Sequence, residues 1–149
     1  MKIMILAISD SDKHFVTACD EYVKRLGNEV TVKSLKPIKG DTQHHTIHKE
    51  TASMMRLLEK EYHWRYKVLL SIGGKQMHTL AFQQFCSQHE KIVFIIGGPY
   101  GLDEVTMTPV VDAKISLSSF TLPHWLAKLV LLEQLYRIQT IQMGKKYHY

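Results

Sequence analysis

Apolar and polar positions along the chain follow two periods in alternation, one suited to buried strands and one to amphipathic helices. Nearly every position from Lys2 to Ile8 is apolar, the run expected of a strand covered on both faces of a parallel sheet. Beyond the capping cluster Ser11-Asp12, residues Phe15, Ala18, Cys19, Tyr22, Val23 and Leu26 recur at helical spacing up to a stop at Gly27. Residues 29–35 predict a second strand with one face less buried, ended before Pro37, and a polar loop covers residues 36–43. Ile47, Met54, Met55, Leu57, Leu58 and Tyr62 mark a long second helix, and residues 68–72 a short buried strand closed by Gly73-Gly74-Lys75. Met77, Leu80, Ala81, Gln84 and Phe85 trace a third helix. Residues 92–96 form the most apolar strand, which ends in Gly97-Gly98-Pro99-Tyr100-Gly101. Asp103 is placed to cap a short helix over residues 104–112, and residues 114–120 read as a fifth strand. With Thr121 near the cap and Pro123 near the first turn, a last helix carries Leu126, Leu129, Val130, Leu132, Leu135 and Tyr136 until Gly144.

This alternation, without linker, repeat or low-complexity stretch, predicts a single α/β domain over residues 1–149 with a mostly parallel sheet. Hydrophobic residues at 45% and charged residues at 22% suit one globular core and argue against a disordered chain. No apolar run approaches the roughly 18 residues of a membrane span. The first run ends by Ile8 and meets Ser9-Asp10-Ser11-Asp12, too short and too acidic for a signal peptide, so a cytoplasmic protein is expected. Cys19 and Cys86 stand far apart without a CxxC pair and read as buried thiols. The last helix is apolar around much of its circumference, more than one core-facing stripe needs, which predicts a homodimer.

A net charge of +5 permits a polyanionic partner without requiring one, and its distribution is more informative. Residues 134–149 contain no acid but hold Arg137, Lys145, Lys146 and His148 beside Tyr136, Tyr147 and Tyr149. Cations interleaved with aromatic rings suit phosphates and stacked bases. In open α/β sheets ligands gather where strands end and helices begin. Three such ends are rich in glycine or small hydroxyls: Ile72-Gly73-Gly74, the glycine stretch after Ile96, and Ser118-Ser119-Phe120-Thr121-Leu122-Pro123. Together they predict a nucleotide-like ligand. Neither a GxGxxG fingerprint nor a phosphate-binding GxxxxGK[ST] loop is present, which weakens hydride transfer and nucleotide hydrolysis. A GxSxG elbow is likewise missing. His44, His45 and His48 lack an acid or cysteine placed to complete a metal site, and no metal is predicted.

At IGGPYGL (residues 96–102), SLSSFTLPH (116–124), LLEQLYR (131–137) and KKYHY (145–149) the chain resembles the ribosomal RNA large subunit methyltransferase H family, small enzymes of the SPOUT class. The resemblance extends to the N-terminal strand and to VLLSIGGK at residues 68–75. It implies an α/β fold with a C-terminal trefoil knot, a homodimer, and transfer of methyl from S-adenosylmethionine to N3 of a pseudouridine in large-subunit ribosomal RNA. By position, Leu70, Gly97, Leu117, Ser118, Ser119, Phe120, Thr121 and Leu122 would contact the cofactor. Tyr147 and His148 would lie at the methyl group and target base, and Lys128, Arg137, Lys145 and Lys146 would hold RNA phosphates offered by an assembled ribosome. Ser71 departs from the family, standing where many members have an acid, as do Lys128 for a common arginine and Tyr149 for a basic residue. Methylation of another RNA position, or nucleotide or RNA binding without catalysis, are the alternative readings.

Overall fold

The apolar N-terminal run forms strand β1 (Lys2–Ile8), and β2 (Val30–Leu35), β3 (Tyr66–Gln76), β4 (Lys91–Ile96) and β5 (Ala113–Ser116) follow it. Helices α1 (Val16–Leu26), α2 (Gln43–Glu61), α3 (Thr79–Ser87), α4 (Glu104–Met107) and α5 (His124–Gln142) connect and cover them. The computed structural model describes residues 1–9 and 15–149, so the expected Ser11-Asp12 cap lies outside the described residues. All five strands are parallel in one sheet of order β2-β1-β4-β3-β5.

The period-2 alternation of each strand sorts its side chains between two layers. From β4, Ile92, Phe94 and Ile96 meet Cys19 and Leu26 of α1, Phe82 and Cys86 of α3, and Leu131, Leu132, Leu135 and Ile138 of α5. On the other face Val93 and Ile95 meet Met54 and Leu58 of α2 and Met107 of α4. Being covered on both faces explains why β4 is the most apolar strand. β2 sits at the sheet edge, where only Val30 of its residues is buried, which explains its weaker pattern. Both cysteines are buried free thiols, and burial pushes the Cys86 thiol up to about 12.

Four of the boundaries that differ from the sequence expectation have a reason visible in the fold. Gly73-Gly74-Lys75 does not close β3: the strand runs on to Gln76, and Lys75 and Gln76 pair with β5 after an irregularity between Leu70 and Lys75. A Cβ on Gly74 would stand 2.6 Å from the backbone N and C of Ile115, so this glycine is required by the approach of β5 and not by a turn. Helix α4 stops at Met107 instead of residue 112, because Pro109 has no N–H for a further helical bond. The chain turns there, with Val110 N–H donating to Met107 O at 2.9 Å. β5 ends at Ser116 instead of residue 120, since the Ser116 hydroxyl donates to Ser118 O at 2.8 Å and the Ser118 hydroxyl accepts from Phe120 N–H at 2.9 Å. Pro123 occupies the N-cap of α5, so Thr121 is loop and no side chain caps that helix.

The expected stop at Gly144 is present as a Schellman motif. With Gly144 at φ 67°, its N–H donates to Ile141 O at 3.1 Å and Lys145 N–H donates to Thr140 O at 2.9 Å. We expect Gly74→Ala to destabilise the fold by about 3 kcal/mol, because neither backbone segment can yield without breaking the β3–β5 pairing. Gly73→Ala is the control, as its Cβ would meet only the Ser71 hydroxyl at 3.8 Å. Thermal unfolding of both variants checks this, and equal midpoints would show that the strands can separate to admit a methyl.

Candidate active site

A cavity of about 640 Å³ opens at the C-terminal ends of β4 and β5 and beside the irregular middle of β3. Its walls come from residues 69–72 of β3, the glycine loop after β4, the hydroxyl loop after β5 and the first turn of α5. Of the positions expected to contact a cofactor, Leu70, Gly97, Leu117, Ser118, Phe120, Thr121 and Leu122 all line it. Ser119 belongs to the same loop but is exposed and does not line the cavity. Gly73 and Gly74, expected at a ligand-binding turn, are absent from its walls.

The glycine loop is held from both sides. Gly101 at φ 76° needs the left-handed conformation that glycine adopts without cost, and its N–H closes a turn onto Gly98 O at 2.9 Å. A Cβ on Gly97 would lie 3.0 Å from Gly101 backbone atoms and 3.1 Å from Leu102 N. Beneath the loop, α2 contributes Thr51, whose hydroxyl accepts from Asp103 N–H at 2.9 Å. It also contributes buried Glu50, whose Oε1 would meet a Cβ on Gly98 at 2.9 Å. Glu50 Oε2 accepts from Ile38 N–H at 2.9 Å while Oε1 has no hydrogen-bond partner, and burial raises this carboxyl above its ordinary range.

Among the described residues, one carboxylate reaches the cavity wall. Glu104, the first residue of α4, accepts a hydrogen bond at Oε1 from the Ser71 hydroxyl, and Lys114 Nζ stands 3.8 Å from its Oε2. Ser71 is itself buried and accepts from Gly73 N–H at 3.2 Å, so its single hydroxyl proton is committed to Glu104. The sequence reading missed Glu104 because it falls in the first turn of a capped helix, where an acid is unremarkable. It also missed Trp125, which lines the cavity and stacks on Phe15 with ring centroids 3.7 Å apart. The triplet Pro123-His124-Trp125 at a helix start was the available signal.

The C-terminal segment is packed on α5 and α1, away from the cavity. Tyr147 meets the Tyr136 ring edge to face at 4.8 Å and donates to Glu133 Oε1 at 3.3 Å. Arg137 lies 4.8 Å over the Tyr147 ring, pairs with Glu133 at 2.6 Å, and stands 3.4 Å from His148 Nδ1. Because a guanidinium only donates, His148 accepts there through Nδ1. A hydrogen bond with Tyr22, together with burial, pushes the Tyr147 phenol up to about 12. Of the expected RNA-binding cations, Lys145 and Lys146 are exposed, Lys128 is half-buried near Cys19, and Arg137 is engaged by Glu133, Tyr147 and His148. From Ala127, the last cavity residue, the helix rises roughly 9 Å to Glu133 and roughly 15 Å to Arg137. One chain therefore does not bring Tyr147 and His148 to the cavity that the loops build.

A parallel sheet carrying its cavity between a glycine loop, a hydroxyl loop and the start of a C-terminal helix defines a SPOUT-class fold, consistent with the knotted α/β architecture. The chain belongs to the SPOUT methyltransferases, residues 1–148 matching the family described as Predicted SPOUT methyltransferase. It is 31% identical over 160 residues to the Ribosomal RNA large subunit methyltransferase H of Bacteroides thetaiotaomicron, covering 100% of this chain and 99% of that protein. It is 33% identical over 156 residues to the protein of the same name in Pseudothermotoga lettingae, covering 100% of both. In structure it is similar to the tRNA (m1G37) methyltransferase of Aquifex aeolicus, with a TM-score of 0.55 and 18% identity over 92% of this chain and 69% of that one.

Proposed function

We propose that the chain is an S-adenosylmethionine-dependent enzyme that methylates N3 of a pseudouridine in large-subunit ribosomal RNA, working as a cytoplasmic homodimer. The observation that carries this reading is the cavity, whose walls combine apolar side chains, small hydroxyls and close backbone at one strand-end site. Leu70, Ile96, Leu117 and Leu122 offer apolar surface for a flat base, and Ser118, Thr121 and the loop backbone offer hydrogen bonds. The relatives named Ribosomal RNA large subunit methyltransferase H support the RNA substrate. Among the described residues no helix is long and apolar enough to cross a membrane, which accords with the cytoplasmic reading.

S-adenosylmethionine would supply an electrophilic methyl group, so the protein must chiefly position N3 in line with it and remove the N3 proton. His148 is the group assigned to take that proton, through its Nδ1 lone pair once that is released from Arg137. Tyr147, whose hydroxyl proton is given to Glu133, would serve the base as a stacking surface or hydrogen-bond acceptor. Lys128, Lys145 and Lys146 would meet phosphates, while Arg137 holds the Tyr147–His148 segment in place. In the proposed homodimer, a two-fold axis crossing α5 at right angles would set the two helices antiparallel and carry each C-terminal segment toward the other chain's cavity. Exposed Ile72, Tyr100 and Phe120 at the cavity wall are apolar surface for such a contact.

The test is to incubate purified protein with radiolabelled S-adenosylmethionine and intact, undermodified ribosomes, then map the labelled nucleotide. Label at one pseudouridine of the large-subunit RNA, at N3, is expected. Label on another nucleotide, or none, overturns the assignment.

A further inference from the structure

We propose that Glu104 is the residue that recognises the positively charged amino-acid end of the sulfonium cofactor, an inference that rests on the cofactor reading above. Among the described residues lining the cavity, Glu104 is the one Asp, Glu, Lys or Arg. The remaining walls are apolar and aromatic side chains, His124, glycine backbone and small hydroxyls, which carry no full negative charge to balance a cation. S-adenosylmethionine carries two positive centres, the α-ammonium and the sulfonium, against one carboxylate, so it enters with net positive charge. A half-enclosed site of low polarity disfavours such a ligand unless a negative group faces it.

The carboxylate is prepared for that role. Ser71, buried where β3 becomes irregular after Leu70, donates its only hydroxyl proton to Oε1 and is fixed in turn by Gly73 N–H. This sets the carboxylate on the β3 side of the cavity, beside Leu70, and leaves lone pairs on both oxygens uncommitted. Its other neighbour, Lys114, stands 3.8 Å from Oε2, too long for a hydrogen bond, and both side chains are partly solvated. Glu104 thus keeps negative character that an arriving ammonium can use. It touches the cofactor's charged tail and not the adenosine, which belongs to the apolar and hydroxyl walls.

The experiment is calorimetric titration of wild-type chain, Glu104→Gln and the double variant Ser71→Asp with Glu104→Gln. The ligands are S-adenosylmethionine, S-adenosylhomocysteine and 5′-methylthioadenosine, which lacks the amino-acid end. Glu104→Gln is expected to weaken the first two about tenfold, the loss of one partly solvated charge-assisted contact, and to leave 5′-methylthioadenosine unchanged. Ser71→Asp returns a carboxylate to the hydrogen-bonded neighbour of position 104 and is expected to restore most of the loss. An equal loss for all three ligands, with an unchanged unfolding midpoint, would assign Glu104 to the ribose or to loop support and overturn the proposal. Unchanged affinity for S-adenosylmethionine would overturn it as well. Failure of the wild-type chain to bind any of the three would instead refute the cofactor reading itself.

Discussion

Gly97→Val abolishes binding of S-adenosylmethionine while leaving the chain folded. Gly97 is the first residue after β4, where the cavity's glycine loop begins, and the loop doubles back on it closely. A Cβ there would already stand 3.0 Å from Gly101 and 3.1 Å from Leu102 N, both backbone atoms that cannot rotate aside. Valine adds two γ-methyls at the most crowded point, so the loop must move as a unit and the cavity wall moves with it. The sheet should tolerate this, because β4 ends at Ile96 and its ladder is complete before residue 97. We expect at least a hundredfold loss of affinity, about 3 kcal/mol, by calorimetry, and a drop of only a few degrees in the unfolding midpoint. Affinity within a few-fold of wild type would show that Gly97 serves the turn alone.

Removing residues 145–149 is expected to leave cofactor affinity intact and to eliminate methyl transfer. No residue beyond Thr140 is buried, so the truncated chain keeps its core; the losses are the Schellman bond from Lys145 N–H and the contacts of Tyr147 and His148 with Tyr136, Glu133 and Arg137. His148→Ala alone should lower kcat about a hundredfold or more with little change in RNA affinity. Lys145→Ala with Lys146→Ala should weaken RNA binding in a salt-dependent way. The strongest form of the experiment mixes two inactive chains, the truncation and Gly97→Val. If each cavity is served by the other chain's C-terminal segment, a hybrid pair holds one intact combination, and activity returns on subunit exchange. Mixtures that stay inactive despite demonstrated exchange would place the segment in service of its own chain. Full turnover by the truncation would leave the proton without an assigned acceptor.

The elements were legible where period and composition agreed. β1 is bounded as its apolar run predicts, and Asp103 caps α4 through hydrogen bonds from Val105 and Thr106 N–H at 3.1 and 3.4 Å. What the sequence misrepresented were residues whose reason is tertiary. Gly74 looks like a turn glycine, yet its requirement comes from Ile115, remote in sequence and adjacent only once β5 pairs with β3. Residues 117–120 look like strand, yet hydroxyl-to-backbone bonds release them into the cavity loop. The loops of the candidate site were visible as strand-end glycines and hydroxyls. Glu104 was invisible because nothing local distinguishes an acid lining a cavity from one complementing a helix terminus.

The sheet order carries a consequence for synthesis of the chain. The N-terminal pair β1–β2 and the later strand β3 have no ladder in common, and β4 fills the slot between β1 and β3, pairing Lys2 with Lys91. During translation the first two-thirds of the polypeptide thus holds one open edge on β1, both edges of β3 and an unclosed apolar layer. Only when residues 91–96 emerge can the centre of the sheet form, and α5 must still arrive to cover it. So non-local a nucleus folds slowly, since loop closure precedes the contacts that reward it. The exposed β1 and β3 edges are meanwhile the places where a nascent chain would pair with the wrong partner.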